Sequence, residues 1–320
     1  MNSIQRLNRW LNRESVAGIV FSLPFIIGFL LFLAVPMGLS LIYSFSDYDI
    51  LSPARFAGFS NYIRIFTHDQ TFISSVKATF YFALVSVPLR LVFALIVALI
   101  LVRPTKAVGF YRAAYYLPSI IGGSVAISVL WRRMFAVDGV VNSLLGLIGI
   151  PSNLPWLSNT RTAIWTLIIL AVWQFGSSML IFLASLKQIP ASLYEAAEID
   201  GAGHWTTLFR VVFPLAKSGI ATITMFYAVI RWNEYFRAGI YLTKTKDTTL
   251  QVILRQFVIL GDTTSIVGQQ NLYNYNELAR IDYNALRCAT IVVSIIPILL
   301  LYPIVLRYYA KDVMAGGVKE

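Results

Sequence analysis

Pro190-Ala191-Ser192-Leu193-Tyr194-Glu195-Ala196-Ala197-Glu198-Ile199-Asp200-Gly201-Ala202-Gly203 is a charged island between two long apolar runs. From Pro190 to Asp200 the residues are good helix formers, and Pro190 suits a first helical turn. Leu193, Ala196, Ala197 and Asp200 fall at helical spacing, which gathers small and apolar side chains on one face. Gly201 and Gly203 stop the helix and permit a sharp turn. Trp205, Leu208, Val211 and Val212 then form a second amphipathic segment around Arg210, and Pro214 marks entry to the next apolar run. The loop 188–213 is thus expected to hold a short, rigid surface helix. Its alanines permit close approach by another protein, and Glu195 offers a carboxylate to a basic partner. An ordinary charged loop fits the same residues equally well.

The rest of the chain explains what this island interrupts. Of 320 residues, 58% are hydrophobic and 13% charged, with a mean hydropathy of +0.70. A water-soluble domain carries about a quarter charged residues, so most of this surface is expected to meet lipid. The net charge of +11 comes from Lys and Arg scattered over short connections, without a dense basic cluster. Membrane topology explains that distribution better than nucleic-acid binding, which is not expected. Cys288 is the single cysteine, and His68 and His204 are the only histidines. That inventory excludes an intramolecular disulfide and a His/Cys zinc site, and offers no convincing Ser-His-Asp triad. No Gly-rich phosphate loop ending in Lys is present. If ATP drives this protein, another subunit hydrolyses it.

A spanning helix needs about 20 mostly apolar residues. Six stretches qualify: Val16–Ser46, Ala78–Val102, Ala113–Leu130, Ala163–Leu186, Pro214–Leu242 and Cys288–Leu306. The expected fold is an all-α membrane protein of about six transmembrane helices. Residues 1–15 form an N-terminal segment, 16–307 the transmembrane domain and 308–320 a tail. Pro24 and Pro36 are expected to kink the first span. Lys and Arg in the short connections place both termini in the cytoplasm. Among the external connections, 47–75 is expected to hold a short interfacial or packed helix. Residues 138–160 suit a partly buried hairpin, and 266–276 an exposed loop.

Ionised residues inside a membrane are costly and should face a cavity or a partner. Arg90 lies in mid-span, and Arg231, Glu234 and Arg237 follow at three-residue spacing, as on one helix. They read either as a structural ion-pair set or as the lining of a solute path that favours an acidic solute. Tyr227, Trp232, Asn233 and Tyr241 suit sugar binding, since aromatic faces stack on sugar rings and amides bond hydroxyls. They suit helix packing equally well. A secondary transporter or channel driven by an ion gradient is the main rival. It would be expected to place acidic residues in mid-membrane, where this chain has Glu234 and little else.

Glu195-Ala196-Ala197, Asp200-Gly201-Ala202 and Phe213-Pro214-Leu215 resemble the EAA loop of binding-protein-dependent ABC importer permeases of the carbohydrate-uptake class, type I. Phe45-Ser46-Asp47-Tyr48, Phe59-Ser60-Asn61-Tyr62, Tyr116-Leu117-Pro118 and Pro190-Ala191-Ser192-Leu193-Tyr194 extend the resemblance over nearly the whole chain. It implies that the loop helix is a coupling helix docked on an ATPase. Glu195 would pair with a basic ATPase residue, Ala196 and Ala197 would pack closely, and Asp200 and Gly201 would shape the turn. It also implies a second permease (a heterodimer over a homodimer), two ATPase subunits that hold ATP and Mg, an external solute-binding protein, and residence in a bacterial inner membrane. This chain itself would bind no cofactor. The nearest look is to oligosaccharide importers, including uronate- or alginate-type ones. Up to about Gly219 the chain resembles the partner placed first in such heterodimers. Phe226-Tyr227-Ala228-Val229, Trp232-Asn233-Glu234-Tyr235-Phe236 and the tail Val313-Met314-Ala315-Gly316-Gly317-Val318-Lys319 look like the other, so a mixed permease is expected.

Overall fold

Inside a bilayer every backbone polar group must be paired within the protein, and prolines and glycines decide where an apolar helix bends. The computed structural model describes residues 14–49, 52–102, 106–150, 153–242, 248–260 and 283–316. The loop expected at 266–276 lies outside the described residues, as do residues 1–13 and 317–320. The chain forms two units, one of residues 1–67 and 275–293, the other of residues 68–274 and 294–320.

In the first unit, α1 (Glu14–Phe29) passes through a π turn at Leu30–Ala34 into α2 (Val35–Ser44). Pro36 explains the π turn. Its ring lacks an N–H and crowds the preceding turn, and one wide turn just before it lets the helix run on. Phe21, Phe25 and Phe32 are all exposed, as suits a helix sheathed in lipid. An antiparallel hairpin follows, β1 (Ser46–Asp49) with β2 (Ser52–Phe56), pairing Ser46 with Phe56 and Asp47 with Arg55. This hairpin is a small addition to the expected helical membrane fold. The expected short helix exists, but later, as α3 (Ser60–His68). The Asn61 amide fastens it by donating to the carbonyls of Ser44 at 3.1 Å and Ser46 at 2.9 Å. Apolar spacing carries no record of such a side-chain clamp.

The second unit is built on α4 (Gln70–Leu101), a single helix about 48 Å long at 1.5 Å per residue. Its buried stripe includes Ser75, Ala78, Thr79, Phe82, Ser86, Arg90, Ala94 and Ala98. Small side chains at this spacing let neighbouring helices approach closely. The chain continues through α5 (Val108–Ile121), α6 (Val125–Met134), α7 (Val140–Leu147), α8 (Thr160–Trp173) and α9 (Gly176–Lys187), of which α8 and α9 pack most extensively on α4. Then follow α10 (Ala191–Ile199), α11 (His204–Thr207), α12 (Phe213–Leu215), α13 (Lys217–Trp232), α14 (Phe236–Tyr241) and α15 (Leu250–Val258). A final helix, α16 (Tyr283–Gly316), runs through both units. A second π turn, Leu208–Val212, again ends two residues before a proline, Pro214.

Three candidate spans are single long helices: Gly18–Ser44, Gln70–Leu101 and Asn284–Ile304. The other three expected spans are broken pairs. Val108–Ile121 meets Val125–Met134 at 97°, Arg161–Trp173 meets Gly176–Lys187 at 41°, and His204–Leu215 is followed by Gly219–Trp232. So the expected continuous runs are corrected in three places. Ala113–Leu130 breaks at Gly122-Gly123-Ser124, where the Ser124 hydroxyl caps α6 by accepting from the Ile127 N–H. Ala163–Leu186 breaks at Gln174-Phe175. Pro214–Leu242 stops at Trp232 and restarts at Phe236, because Glu234 accepts from the Arg237 N–H at 3.3 Å and begins a new helix there. The 138–160 hairpin holds α7, pinned by Asn142, whose amide donates to the Val137 and Leu154 carbonyls and accepts from the Trp156 indole.

Two apolar clusters fill this unit. One gathers Ala78, Phe82, Trp131, Phe135, Leu167, Ile168 and Tyr241. The other gathers Leu91, Ala94, Ala98, Leu101, Phe175, Met179, Phe182, Val212 and Tyr227. α4 contributes to both, and the break at Gln174 falls between them in α8–α9.

Candidate functional site

The loop helix forms as its residues predict, and its two ends show why. Pro190 precedes α10 in an extended conformation, φ −59° and ψ 137°, and its carbonyl accepts from the Leu193 N–H. At the far end the Ala202 N–H reaches back to the Ala197 carbonyl at 2.8 Å, and the Gly201 N–H to Glu198 at 3.0 Å. This doubly bonded stop needs a left-handed residue, and Gly201 supplies it with φ +74°. Tyr194 packs with Leu208 and Val212 against the second cluster. Burial pushes the Tyr194 hydroxyl above the usual tyrosine range.

The helix therefore has a rooted face and a free face. Ala197 is buried, while Leu193, Glu195, Ala196, Asp200 and Gly201 are exposed and Ile199 is 85% exposed. Ala196 and Ala197 thus point to different surroundings, although both were expected at one contact. Trp205 also departs from expectation. Leu208 and Val212 turn inward, but Trp205 is exposed and its ring stacks on Phe209, which stacks on Phe213.

The charged residues of the spans form a second constellation beside the helix breaks at Gln174-Phe175 and at residues 233–235. Arg90 is buried. Its Nε donates to Ser178 at 3.1 Å, its terminal nitrogens to Ser177 at 2.9 Å and the Ala171 carbonyl at 3.4 Å, and its guanidinium lies 4.0 Å over the Tyr227 ring. Tyr227 and Ser177 share a hydroxyl contact of 2.7 Å. Glu234 is 6% exposed and takes both Arg231, at 3.2 Å, and Arg237. Arg231 and Glu234 do pair as spaced, across the end of α13 instead of along one continuous helix. Trp232 is buried with its indole on the Ser294 carbonyl. Tyr241 donates to the Ser128 carbonyl. Asn233 is exposed, with its amide on the Val229 carbonyl.

Gln174 connects these pieces and no sequence signal singled it out. Its amide donates to the Gly122 carbonyl at 2.9 Å and accepts from Arg237 at 2.7 Å. Its backbone carbonyl accepts from Ser119, whose oxygen in turn accepts from the Ser177 N–H. One residue thus ties the break after α5, the break after α8 and the start of α14. A Cβ on Gly122 would overlap the Gln174 side chain, so the close approach requires glycine there. A lone polar residue in an apolar run was the only available clue. Among the described residues, no group of His, Cys, Asp and Glu could hold a metal ion.

Three comparisons bear on this architecture. The family model described as "Binding-protein-dependent transport system inner membrane component" matches residues 14–314. The "Probable ABC transporter permease protein YesP" of Bacillus subtilis is 49% identical over 208 residues, 65% of this chain and 67% of that protein. The "Probable starch degradation products transport system permease protein AmyD" of Thermoanaerobacterium thermosulfurigenes is 31% identical over 225 residues, 70% and 75% of the two chains. Among solved structures, a chain of a bacterial alginate ABC transporter in complex with a pentasaccharide-bound periplasmic protein superposes with a TM-score of 0.68. It covers 92% of this chain and 95% of its own length at 22% identity, which speaks to the fold. A rooted helix projecting from broken spans, matched along almost its whole length, makes this chain a member of the binding-protein-dependent transport system inner membrane component family: a multi-pass ABC transporter permease whose ATPase is a separate subunit.

Proposed function

We propose that this chain passes a sugar or oligosaccharide from an external solute-binding protein into the cytoplasm by alternating access. The observation that carries the reading is α10, a helix begun by Pro190, stopped at Gly201 and rooted by Tyr194 and Ala197, with Glu195, Ala196 and Ile199 left uncovered. Docked on an ATPase subunit, Glu195 pairs with a basic residue, Ala196 allows close contact, and Asp200 and Gly201 hold the turn. The assembly has two ATPase subunits and a second permease, in a heterodimer, with both termini of this chain cytoplasmic. ATP binding by the ATPases moves α10 and opens the solute path outward, and hydrolysis resets it. Nucleotide can do this only by binding the two states unequally. The starch-product relative supports a carbohydrate solute.

The solute path, in this reading, runs by Asn233 and Arg237, with Arg90, Tyr227, Arg231, Trp232 and Glu234 as its framework. Three guanidiniums against one carboxylate leave an excess positive charge, which favours an acidic solute. Replacing Glu195 by Lys should abolish solute-stimulated ATPase activity while the complex still assembles; unchanged stimulation defeats the coupling role. Arg237→Gln should lower uptake of an acidic oligosaccharide more than of a neutral one, and equal losses leave the arginine a purely structural part.

A further inference from the structure

The functional reading makes no use of a groove between α4 and α8. It has a volume of about 430 Å³ and is lined by Ser74, Lys77, Ala78 and Tyr81 from one helix and Arg161, Ile164 and Trp165 from the other. The spacings explain why these residues meet. Positions 74, 77, 78 and 81 form one stripe of α4, and 161, 164 and 165 one stripe of α8. Lys77 and Arg161 are exposed, and no acidic side chain lines the groove. Tyr81 and Trp165 are partly exposed and meet edge to face at 6.4 Å.

The chemistry is graded along the helix axes. Each aromatic follows its cation by four residues, about 6 Å along the helix. From Tyr81 to Leu101 α4 has about the length that crosses the hydrocarbon of a bilayer. That places Lys77 and Arg161 at the headgroup layer and the two aromatics at its apolar boundary, where such rings concentrate. Below them Ala78 and Ile164 give the groove an apolar floor.

We propose that this groove binds an anionic phospholipid. Lys77 and Arg161 hold its phosphate, and the glycerol and upper acyl chain lie along Tyr81, Ile164 and Trp165. Two cations without a carboxylate select negative charge, and the apolar end selects a ligand that also carries a chain. A soluble anion satisfies only the first half of the groove.

Native mass spectrometry of the assembled transporter, titrated with phosphatidylglycerol or phosphatidylethanolamine of equal chains, tests this. Saturable binding with preference for phosphatidylglycerol is expected. Lys77→Gln and Arg161→Gln should each weaken it about fivefold, as for one basic residue at an anionic surface. Lys77→Arg should keep it, which separates lost charge from lost fold. Equal binding of the two lipids, unchanged binding in both Gln variants, or loss in Lys77→Arg overturns the proposal. So does displacement of the lipid by inorganic phosphate or galacturonate, which would make the groove a soluble-anion site. Absence of saturable lipid on the assembled complex, as when another subunit fills the groove, overturns it too.

Discussion

The loop around α10 and the cluster around Gln174 both set acidic side chains beside apolar packing, and they use them in opposite ways. Glu195 stands exposed on a helix that is anchored by its neighbours Tyr194 and Ala197. Glu234 is buried between Arg231 and Arg237, with its backbone carbonyl further bonded by Thr249 at 3.1 Å. A buried carboxylate must find its partners inside the chain, because desolvation without compensation costs several kcal/mol. An exposed one costs little and remains available. The contrast separates residues that hold the permease together from residues left open at its surface, which the proposed coupling role would use.

The largest effect is expected where the contrast is steepest. Glu234→Gln leaves buried guanidiniums without their counter-charge and should cost about 3–5 kcal/mol, read as a sharp fall in the melting temperature of the purified complex. Adding Arg237→Gln should recover part of that loss; no recovery would break the claim that the pair acts as a unit. Gly122→Ala should cost about 1–3 kcal/mol by overpacking, and the part owed to the Gln174 side chain should vanish on a Gln174→Ala background, leaving the clash with the Pro118 carbonyl. Additive losses would mean that Gln174 is not the obstacle. Gly201→Ala forces a side chain into the left-handed region, at about 1–2 kcal/mol, and should lower ATPase coupling along with stability.

A pH-dependent effect is expected at Asp69, which caps α4 by accepting from the Phe72 N–H at 2.9 Å. Burial pushes its carboxyl up to about 6. With the folded value above the ordinary one, the folded state holds the proton more tightly. Stability should therefore fall as pH rises from about 4 to 6 and level off above that. Asp69→Asn keeps the cap and should flatten this slope in melting temperature against pH.

How much was legible in the sequence differs between the same two regions. The α10 loop was readable because its signals are local: helix formers, a proline before, a glycine after. Its direction was not, because which side of Ala196 and Ala197 faces inward depends on where Leu208 and Val212 return to the core. The spans were readable by hydropathy, but their breaks were not. Gly122-Gly123 and Gln174 look like tolerated interruptions until Gln174 is seen to bond the Gly122 carbonyl and Arg237. The β hairpin at 46–56 was missed because its strands are short and polar, and Asn61 stabilises its start from outside the strands.

α4 has a mechanical consequence. Its neighbours α5–α6 and α8–α9 are jointed near their middles, while α4 runs unbroken from Gln70 to Leu101 despite Pro88. Its Leu101 end lies in the cluster that roots Tyr194, and Ala78 and Phe82 lie in the other cluster. It is the beam of this unit, and the broken helices are its hinges. A load applied at α10 therefore meets a stiff member first, and any bending is left to the joints that Gln174 ties.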